Sequence, residues 1–138
     1  MITQAVFDTN VMVSGILFPA SPPGKLIDAL LEGWCCPVIS DAILAEYAEV
    51  LNRPKFKIAP ERIEIFIEAI QSIGICAPFA LSQYRARFPD PDDVIFVEAA
   101  LGSNCALVTG NKRHFPSALM QGVRVFSPAD FLNQCLRI

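Results

Sequence analysis

The sequence has few charged residues and no marked excess of one sign. Charged residues make up 18% of the 138 residues, and the formal net charge is -3 at pH 7. Such a chain has no general attraction for nucleic acid, so any nucleic-acid binding needs a local basic patch or a bound cation. Hydrophobic residues make up 53%. This fraction supplies ample apolar surface for a core and argues against a disordered chain.

Long apolar runs are also missing. Charged residues such as Asp28, Glu32 and Arg53 interrupt the apolar runs before they reach the roughly 20 residues that a membrane span needs. The N-terminus has no basic segment ahead of a long apolar one, as a signal peptide would have. We therefore expect a cytoplasmic protein that does not associate with membranes.

The cysteines lack the spacing of a metal site or of a disulfide framework. There are five of them, an odd number, with no CxxC motif and a single histidine in the whole chain. This pattern argues against zinc and against structural disulfides. We expect reduced and mostly buried thiols that act as small hydrophobic side chains. These residues are Cys35, Cys36, Cys76, Cys105 and Cys135.

Short apolar runs rich in β-branched residues alternate with stretches of helical periodicity. The predicted strands are residues 5–7, 37–39, 73–76, 105–108 and 123–126. The predicted helices are residues 41–51, 60–73, 92–101 and a last helix that begins after Ser127. This alternation predicts an α/β fold, a three-layer α/β/α sandwich with a central, mostly parallel sheet. The length predicts one domain over residues 1–138.

Acidic residues stand where a ligand site is expected. In open α/β sheets the site lies beyond the carboxyl ends of the strands. Asp8 directly follows the first apolar run in VFDTNV, and Asp93 opens the central helix. On a helical wheel, Glu46 lies at the border of the apolar face of its helix. We expect these three carboxylates, from separate elements, to share one pocket.

Clustered carboxylates repel one another unless a cation neutralises them, which predicts a metal site. Oxygen ligands without a histidine or cysteine cluster favour Mg2+ or Mn2+, and such a site suits phosphodiester hydrolysis. Each acid alone has a simpler interpretation. Asp8 could be a turn or cap residue, Glu46 a solvated helix-edge residue, and residues 90–93 a helix cap.

Three segments together resemble a known family. VFDTNVMVSGIL, SDAILAEYAEVLNRPKF and FPDPDDVIFVEAALGSNCALVTGNKRHFP are similar to the successive motifs of PIN-domain proteins, in particular small bacterial toxins of toxin-antitoxin pairs related to VapC. The resemblance covers roughly residues 6–116. It implies a Mg2+- or Mn2+-dependent endoribonuclease in which Asp8, Glu46 and Asp93 bind metal and carry catalysis. Its implied partners are an RNA substrate, a cognate antitoxin that blocks the crevice, and a second copy in a homodimer or higher oligomer.

The resemblance also assigns roles to polar residues around these acids. Asn10, Thr109 and Asn111 match the supporting polar positions of the family. Asn111 stands where many PIN domains carry a fourth Asp, which implies weak binding of any second metal. Asp90 and Asp92 are candidates for contacts outside the inner coordination sphere, although we favour simple helix capping for Asp92.

Basic residues beside the acidic motifs are candidates for RNA binding. Arg85 and Arg87 precede the DPDD stretch, and Lys112 and Arg113 follow the Thr109 strand. These two groups are expected to flank the crevice and to hold phosphates, or else to form an ordinary solvated surface. His114 is a candidate general base, but a cap or packing role would explain it equally well.

Two other functions remain open from the sequence. Haloacid-dehalogenase-like phosphatases also place an Asp nucleophile after the first strand and a Thr after a later one. Against that class, Asn10 replaces its usual second Asp, and the DPDD stretch precedes Thr109 when it should follow it. The second alternative is a PIN-like binding module without catalysis.

Overall fold

The central sheet contains five parallel strands. The computed structural model describes residues 2–137, and its strands run in the order β3-β2-β1-β4-β5. The pairs β1–β2, β1–β4, β2–β3 and β4–β5 are all parallel. The prediction of a parallel α/β sheet is confirmed, although the third and fifth strands are shorter than predicted. The strands are β1 (Thr3–Phe7), β2 (Cys35–Ile39), β3 (Ile75–Cys76), β4 (Ala106–Val108) and β5 (Val125–Phe126).

Helices connect the strands, and serines begin several of them. Ser21, Ser40 and Ser127 each accept a hydrogen bond from a backbone N–H in the first turn of the helix that follows. The last helix continues from α6 as a π-helical segment, Phe131–Leu136. The helices are α1 (Thr9–Leu17), α2 (Pro22–Leu31), α3 (Asp41–Leu51), α4 (Pro60–Ile73), α5 (Val94–Ser103) and α6 (Pro128–Asp130).

The strand order reverses between β1 and β4. From β1 the chain steps outward through β2 to β3, and then returns across the sheet to β4 and β5. Right-handed crossovers in opposite directions place their helices on opposite faces of the sheet, which makes the three-layer sandwich. A crevice opens at the reversal, beyond the carboxyl ends of β1 and β4, where ligands bind in sheets of this kind.

The buried faces of the sheet and the helices form one core. Its largest fully buried side chains include Phe7, Tyr47, Phe96 and Phe131. Phe131 packs edge-on against Phe7, with the ring centroids 5.9 Å apart, so that the C-terminal segment covers β1. Across residues 2–137, no helix combines the length and the apolar character that a membrane crossing requires.

Candidate active site

Asp8 lies at the carboxyl end of β1 and begins α1. Its Oδ1 accepts a hydrogen bond from the Thr9 N–H at 2.8 Å, and its Oδ2 accepts one from the Thr109 hydroxyl at 2.7 Å. Thr109 directly follows β4 and is fully buried. Asp8 is therefore the N-cap of α1, as the simpler interpretation of this acid predicts. Its hydrogen bond from Thr109 also links the ends of β1 and β4 and holds the carboxylate at the crevice.

Glu46 reaches the crevice from α3, and its neighbour Tyr47 holds that helix in place. The buried Tyr47 hydroxyl donates a hydrogen bond to the backbone carbonyl of Phe7, the residue before Asp8. The Tyr47 ring also stacks on Phe96 of α5, with the centroids 6.3 Å apart. One side chain thus ties together β1, α3 and α5, which carry or adjoin the three predicted acids. Glu46 itself is half-buried, as the helical wheel predicts.

The DPDD stretch folds into a short 3-10 helix, Pro91–Asp93, that leads directly into α5. Asp90 caps this turn, because its Oδ1 accepts a hydrogen bond from the Asp92 N–H at 2.9 Å. The capping role that we favour for Asp92 is therefore wrong, since the cap belongs to Asp90 and the Asp92 side chain is exposed. Asp93 is buried, with 8% of its surface exposed.

The three predicted acids line one cavity of about 310 Å³, which we call the acidic cavity. Its wall contains five carboxylates, an arginine and the histidine, together with apolar and small polar side chains. The structure therefore brings Asp8, Glu46 and Asp93 to the same edge of the sheet. The lining residues are Asp8, Thr9, Asn10, Val13, Ser14, Glu46, Val50, Arg53, Phe56, Asp90, Asp92, Asp93, Phe96 and His114.

Burial raises the pKa of each of the three predicted acids above the ordinary value for its side chain. The pKa of Asp93 rises to about 6, first because of burial and then because of the negative charges of Asp8 and Asp90. The pKa of Asp8 is also raised by burial, against the opposing effect of its hydrogen bonds. The pKa of Glu46 is raised by burial and by the nearby charges of Glu49 and Asp92. Each carboxylate would therefore be stabilised by a cation.

The donor atoms of the acidic cavity fit a divalent cation. One ligand atom from each of Asp90, Asp93 and His114 lies within 4.8 Å of the other two. Asp93 Oδ2 is buried and accepts no well-aligned hydrogen bond, although His114 Nδ1 lies 2.9 Å from it. Asp8 and Glu46 stand outside this group of three. Since opposite ligands of Mg2+ are only about 4.2 Å apart, Asp8, Glu46 and Asp93 would share one ion through bridging waters or after small side-chain movements.

The polar residues predicted from the resemblance take different positions. The Asn10 side chain lines the acidic cavity, and its Oδ1 accepts a hydrogen bond from the Gly110 N–H at 3.2 Å. Thr109 orients Asp8. The N–H of Asn111 donates to Thr109 Oγ1 at 3.0 Å, and the residue is not part of the cavity wall.

The four predicted RNA-binding residues do not line the acidic cavity. Arg85 Nε lies 3.4 Å from Glu98 Oε2, and the Arg87 guanidinium lies 5.5 Å from the centroid of the Tyr84 ring. Lys112 Nζ lies 3.9 Å from Asp130 Oδ2. Arg113 is exposed. A role for these residues in RNA binding stays a prediction.

Sequence reasoning missed Arg53, which does line the acidic cavity. Its guanidinium also pairs with the exposed Glu49 at 3.1 Å, one turn back. The signal was available, because Arg53 follows Glu46 by seven residues and therefore continues the same helical stripe just beyond the end of α3. Phe56, in the 3-10 turn that follows, adds an aromatic ring to the same wall.

Comparisons with known proteins give a family match and a related protein. A profile of the PIN domain matches residues 4–113. The uncharacterized protein MJ1680 of Methanocaldococcus jannaschii is 30% identical over 112 residues, which cover 79% of this chain and 71% of that protein.

Two solved structures are similar in fold. VapBC2 from Rickettsia felis, bound to a DNA fragment from its promoter, gives a TM-score of 0.62 at 15% identity, covering 91% of this chain and 98% of that chain. FitAcB from Neisseria gonorrhoeae gives a TM-score of 0.60 at 20% identity, with the same coverage of both chains. At these identities the likeness establishes a shared fold.

Proposed function

Because the chain belongs to the PIN-domain family, whose members are in general nucleases, we propose that it is a divalent-metal-dependent endoribonuclease. The observation that supports this proposal most directly is the acidic cavity at the strand reversal. Five carboxylates meet there, and burial raises the pKa of three of them. Such an arrangement is costly without a cation.

Each acid has a distinct part in the proposed site. Asp8, Glu46 and Asp93 hold Mg2+ or Mn2+, directly or through water. When bound, the cation supplies Lewis-acid chemistry that activates water and offsets negative charge on the phosphodiester. Thr109 keeps the Asp8 carboxylate turned into the cavity. Tyr47 keeps α3, and therefore Glu46, against the end of β1.

The substrate must approach a protein of net charge -3. Arg53 supplies a positive charge within the cavity wall, beside the apolar surface of Val50 and Phe56. A guanidinium binds phosphate oxygens, and an aromatic ring stacks on an unpaired base. We therefore assign single-stranded or locally unpaired RNA as the substrate, with one phosphate near Arg53.

The alternatives differ in what supports them. The phosphatase alternative has no support, because the family match is to the PIN domain and the Asn10 amide binds the Gly110 backbone at 3.2 Å. A binding module without catalysis would keep the fold and the acids but would not cleave RNA. Only an activity measurement separates it from the nuclease.

A cleavage assay tests the proposal. Purified protein with Mg2+ or Mn2+ should cleave single-stranded RNA, and EDTA should stop the reaction. Asp93→Asn should abolish cleavage because the buried carboxylate is lost, whereas Asp28→Asn should leave it unchanged. Asp28 is an exposed acid of α2 outside the acidic cavity, so the two variants carry the same change in charge. Cleavage that persists in Asp93→Asn would refute the site, and an inert wild type would favour the binding module.

We further propose an antitoxin-like protein partner and a homodimer. The similarity in fold to VapBC2 and FitAcB supports the protein partner. The exposure of large apolar side chains, among them Phe79 at 87% and Ile65 at 67%, supports both contacts. Exposed apolar surface of this kind is typical of interaction sites. Light scattering coupled to size exclusion should give twice the mass of the 15.1 kDa chain. A monomer at micromolar concentration would refute the homodimer.

A further inference from the structure

The outer side of β5 is a free edge of the sheet. β5 stands last in the strand order and pairs with β4 on its inner side. The Leu107 N–H donates to the Arg124 carbonyl at 2.9 Å, and the Thr109 N–H donates to the Phe126 carbonyl at 3.0 Å. Because the backbone groups of successive residues in a ladder point to opposite sides, the N–H and C=O of Val125 point away from β4. These two groups are available to another strand.

A groove of about 560 Å³ lies at this free edge, and we call it the edge groove. Residues 123–126 all line it. Since consecutive strand residues point to opposite faces of a sheet, a groove lined by all four lies along the edge and not on one face. Phe115 and Phe126 form the apolar base, with 2% and 6% of their surfaces exposed. No residue of the edge groove lines the acidic cavity.

The charged side chains of the edge groove are both positive. Lys112 and Arg124 line it, and among the described residues 2–137 no acid does. The Arg124 guanidinium lies 4.8 Å from the centroid of the Phe126 ring, which holds it over the groove. Lys112 Nζ lies 3.9 Å from Asp130 Oδ2, and an ion pair between two half-exposed side chains is weak. Both positive charges are therefore available to carboxylates of a ligand.

We propose that the edge groove binds an extended, acidic segment of a partner protein, which adds a strand to the sheet beside β5. Backbone hydrogen bonds to Val125 supply affinity, and the apolar base takes a side chain of the segment. Carboxylates of the segment pair with Lys112 and Arg124. Since a residue pair in an antiparallel ladder exchanges both hydrogen bonds, one residue of the segment satisfies both groups of Val125. This surface is separate from the acidic cavity, so the proposal does not rest on ribonuclease activity.

The edge groove suits a peptide better than it suits RNA. Lys112 is one of the predicted RNA-binding residues, so a phosphate backbone is the competing ligand. Sites for single-stranded nucleic acid combine positive charges with aromatic rings on which bases stack. The two rings of the edge groove, Phe115 and Phe126, are almost fully buried, which leaves no face for a base. The free N–H and C=O of Val125 instead match the backbone of a peptide.

Nuclear magnetic resonance of isotope-labelled protein tests the proposal. The probe is a pool of short synthetic peptides with alternating valine and threonine at the centre and aspartate at both ends. We expect this acidic pool to shift the Val125 amide signal and to slow its exchange with solvent. A pool with lysine at both ends should bind at least about 10-fold more weakly, because hydrogen bonds to charged groups are lost.

Three outcomes of this titration would overturn the proposal. The first is an unchanged Val125 signal with the acidic pool. The second is an equal response to the two pools, which would remove the role of Lys112 and Arg124. The third is a response to a single-stranded RNA oligonucleotide and to neither pool, which would assign the edge groove to nucleic acid.

Variants locate the added strand. Val125→Pro removes the outward N–H but keeps the ladder to β4, since proline is tolerated where the N–H of an edge strand faces solvent. Val125→Pro and Arg124→Glu should each weaken binding of the acidic pool by about 10-fold or more. Lys25→Glu makes the same change in charge at an exposed residue of α2 and should leave binding within about twofold. Circular dichroism identifies the variants that fold, and unchanged binding in either folded edge variant would refute the edge groove.

The outcome separates this inference from the proposed function. Val125→Pro should leave metal-dependent cleavage of RNA within about twofold of the wild type, because Val125 lies outside the acidic cavity. Peptide binding by a protein that does not cleave RNA would sustain the edge groove and refute the nuclease. Metal-dependent cleavage without peptide binding would sustain the nuclease and refute the edge groove.

Discussion

The two ends of the parallel sheet both bury ionisable groups, with opposite consequences. At the carboxyl end, burial raises the pKa of Asp93 to about 6, just below neutral pH. At the amino end, burial and neighbouring thiols raise the pKa of Cys35 to about 12, and burial raises that of Cys105 to about 11. Cys35 begins β2, and Cys105 immediately precedes β4.

The same physical cause therefore brings the pKa of an acid toward neutral pH at one end of the sheet and moves the pKa of the thiols away from it at the other. Desolvation always favours the neutral form. For an acid with a low ordinary pKa, this moves the titration toward neutral pH, where a cation can compete with the proton. For a thiol it moves the titration away from neutral pH, so the group stays protonated and packs as a small hydrophobic side chain. The expectation of mostly buried thiols is wrong, because Cys35 alone is buried, Cys76 is exposed, and the other three cysteines are partly buried.

The sharpest test of this contrast is one substitution at each end. Asp8→Asn should reduce metal-dependent cleavage by about 100-fold or more, because loss of an outer partner of a metal ligand already costs 10- to 100-fold. Cys105→Ala should leave cleavage within about twofold. Initial rates at saturating Mn2+ decide the matter, with thermal melts as a control for folding. Comparable losses in both variants would mean that the two ends do not differ as described.

The pH dependence of stability tests the acid end alone. Asp93 has a pKa of about 6 in the folded chain against an ordinary value of 3.8. Its contribution favours folding fully below about pH 4 and is lost as the pH rises through 6. Metal-free protein should thus lose about 2 kcal/mol of unfolding free energy from this residue between pH 4.5 and 7.5. Asp93→Asn should lack that part of the dependence in urea titrations, and Mn2+ should restore stability to the wild type at pH 7.5.

Tyr47→Phe tests the link between the core and the acid end. The change leaves the buried Phe7 carbonyl without its donor, which should lower the unfolding free energy by about 1–2 kcal/mol. Cleavage should also fall, since α3 and Glu46 lose an anchor. The matched control is Tyr84→Phe, at the half-buried second tyrosine. It should change the unfolding free energy by no more than about 0.5 kcal/mol and leave the cleavage rate unchanged. Equal stability of the two variants in urea would contradict the anchoring role.

The smallest effect is expected at the thiol end. A maleimide reagent at pH 8 should label the exposed Cys76 and leave Cys35, which is 2% exposed, unmodified. Labelling of Cys35 should begin only when denaturant unfolds the chain. Mass spectrometry of digested samples measures the labelling of each cysteine. Modification of Cys35 in the native protein at the same rate as Cys76 would show that solvent reaches Cys35 at the amino end of the sheet.

The sequence predicted best those features that depend on local periodicity and caps. The bounds of α3 follow from Ser40 and a regular apolar stripe, and the half-buried position of Glu46 follows from the same helix. Helix α1 was not predicted, because its residues, TNVMVSGIL, are rich in apolar and β-branched side chains and follow β1 after a single residue, so that they give no separate helical signal. The metal and catalytic roles of Asp8, Glu46 and Asp93 stay predictions.

Features that depend on distant segments could not be read from the chain. The proximity of His114 to Asp93 joins two 3-10 turns that lie on either side of α5 and β4. Irregular turns of this kind carry no periodic pattern.

The buried Tyr47 side chain, which links β1, α3 and α5, has a consequence for molecules that are still folding. Until the Tyr47 hydroxyl binds the Phe7 carbonyl and its ring stacks on Phe96, the segments that carry the three acids are not held together. The acids then cannot share one cavity. The proposed ribonuclease activity would consequently arise late in folding, together with completion of the core, and partly folded copies would leave RNA intact.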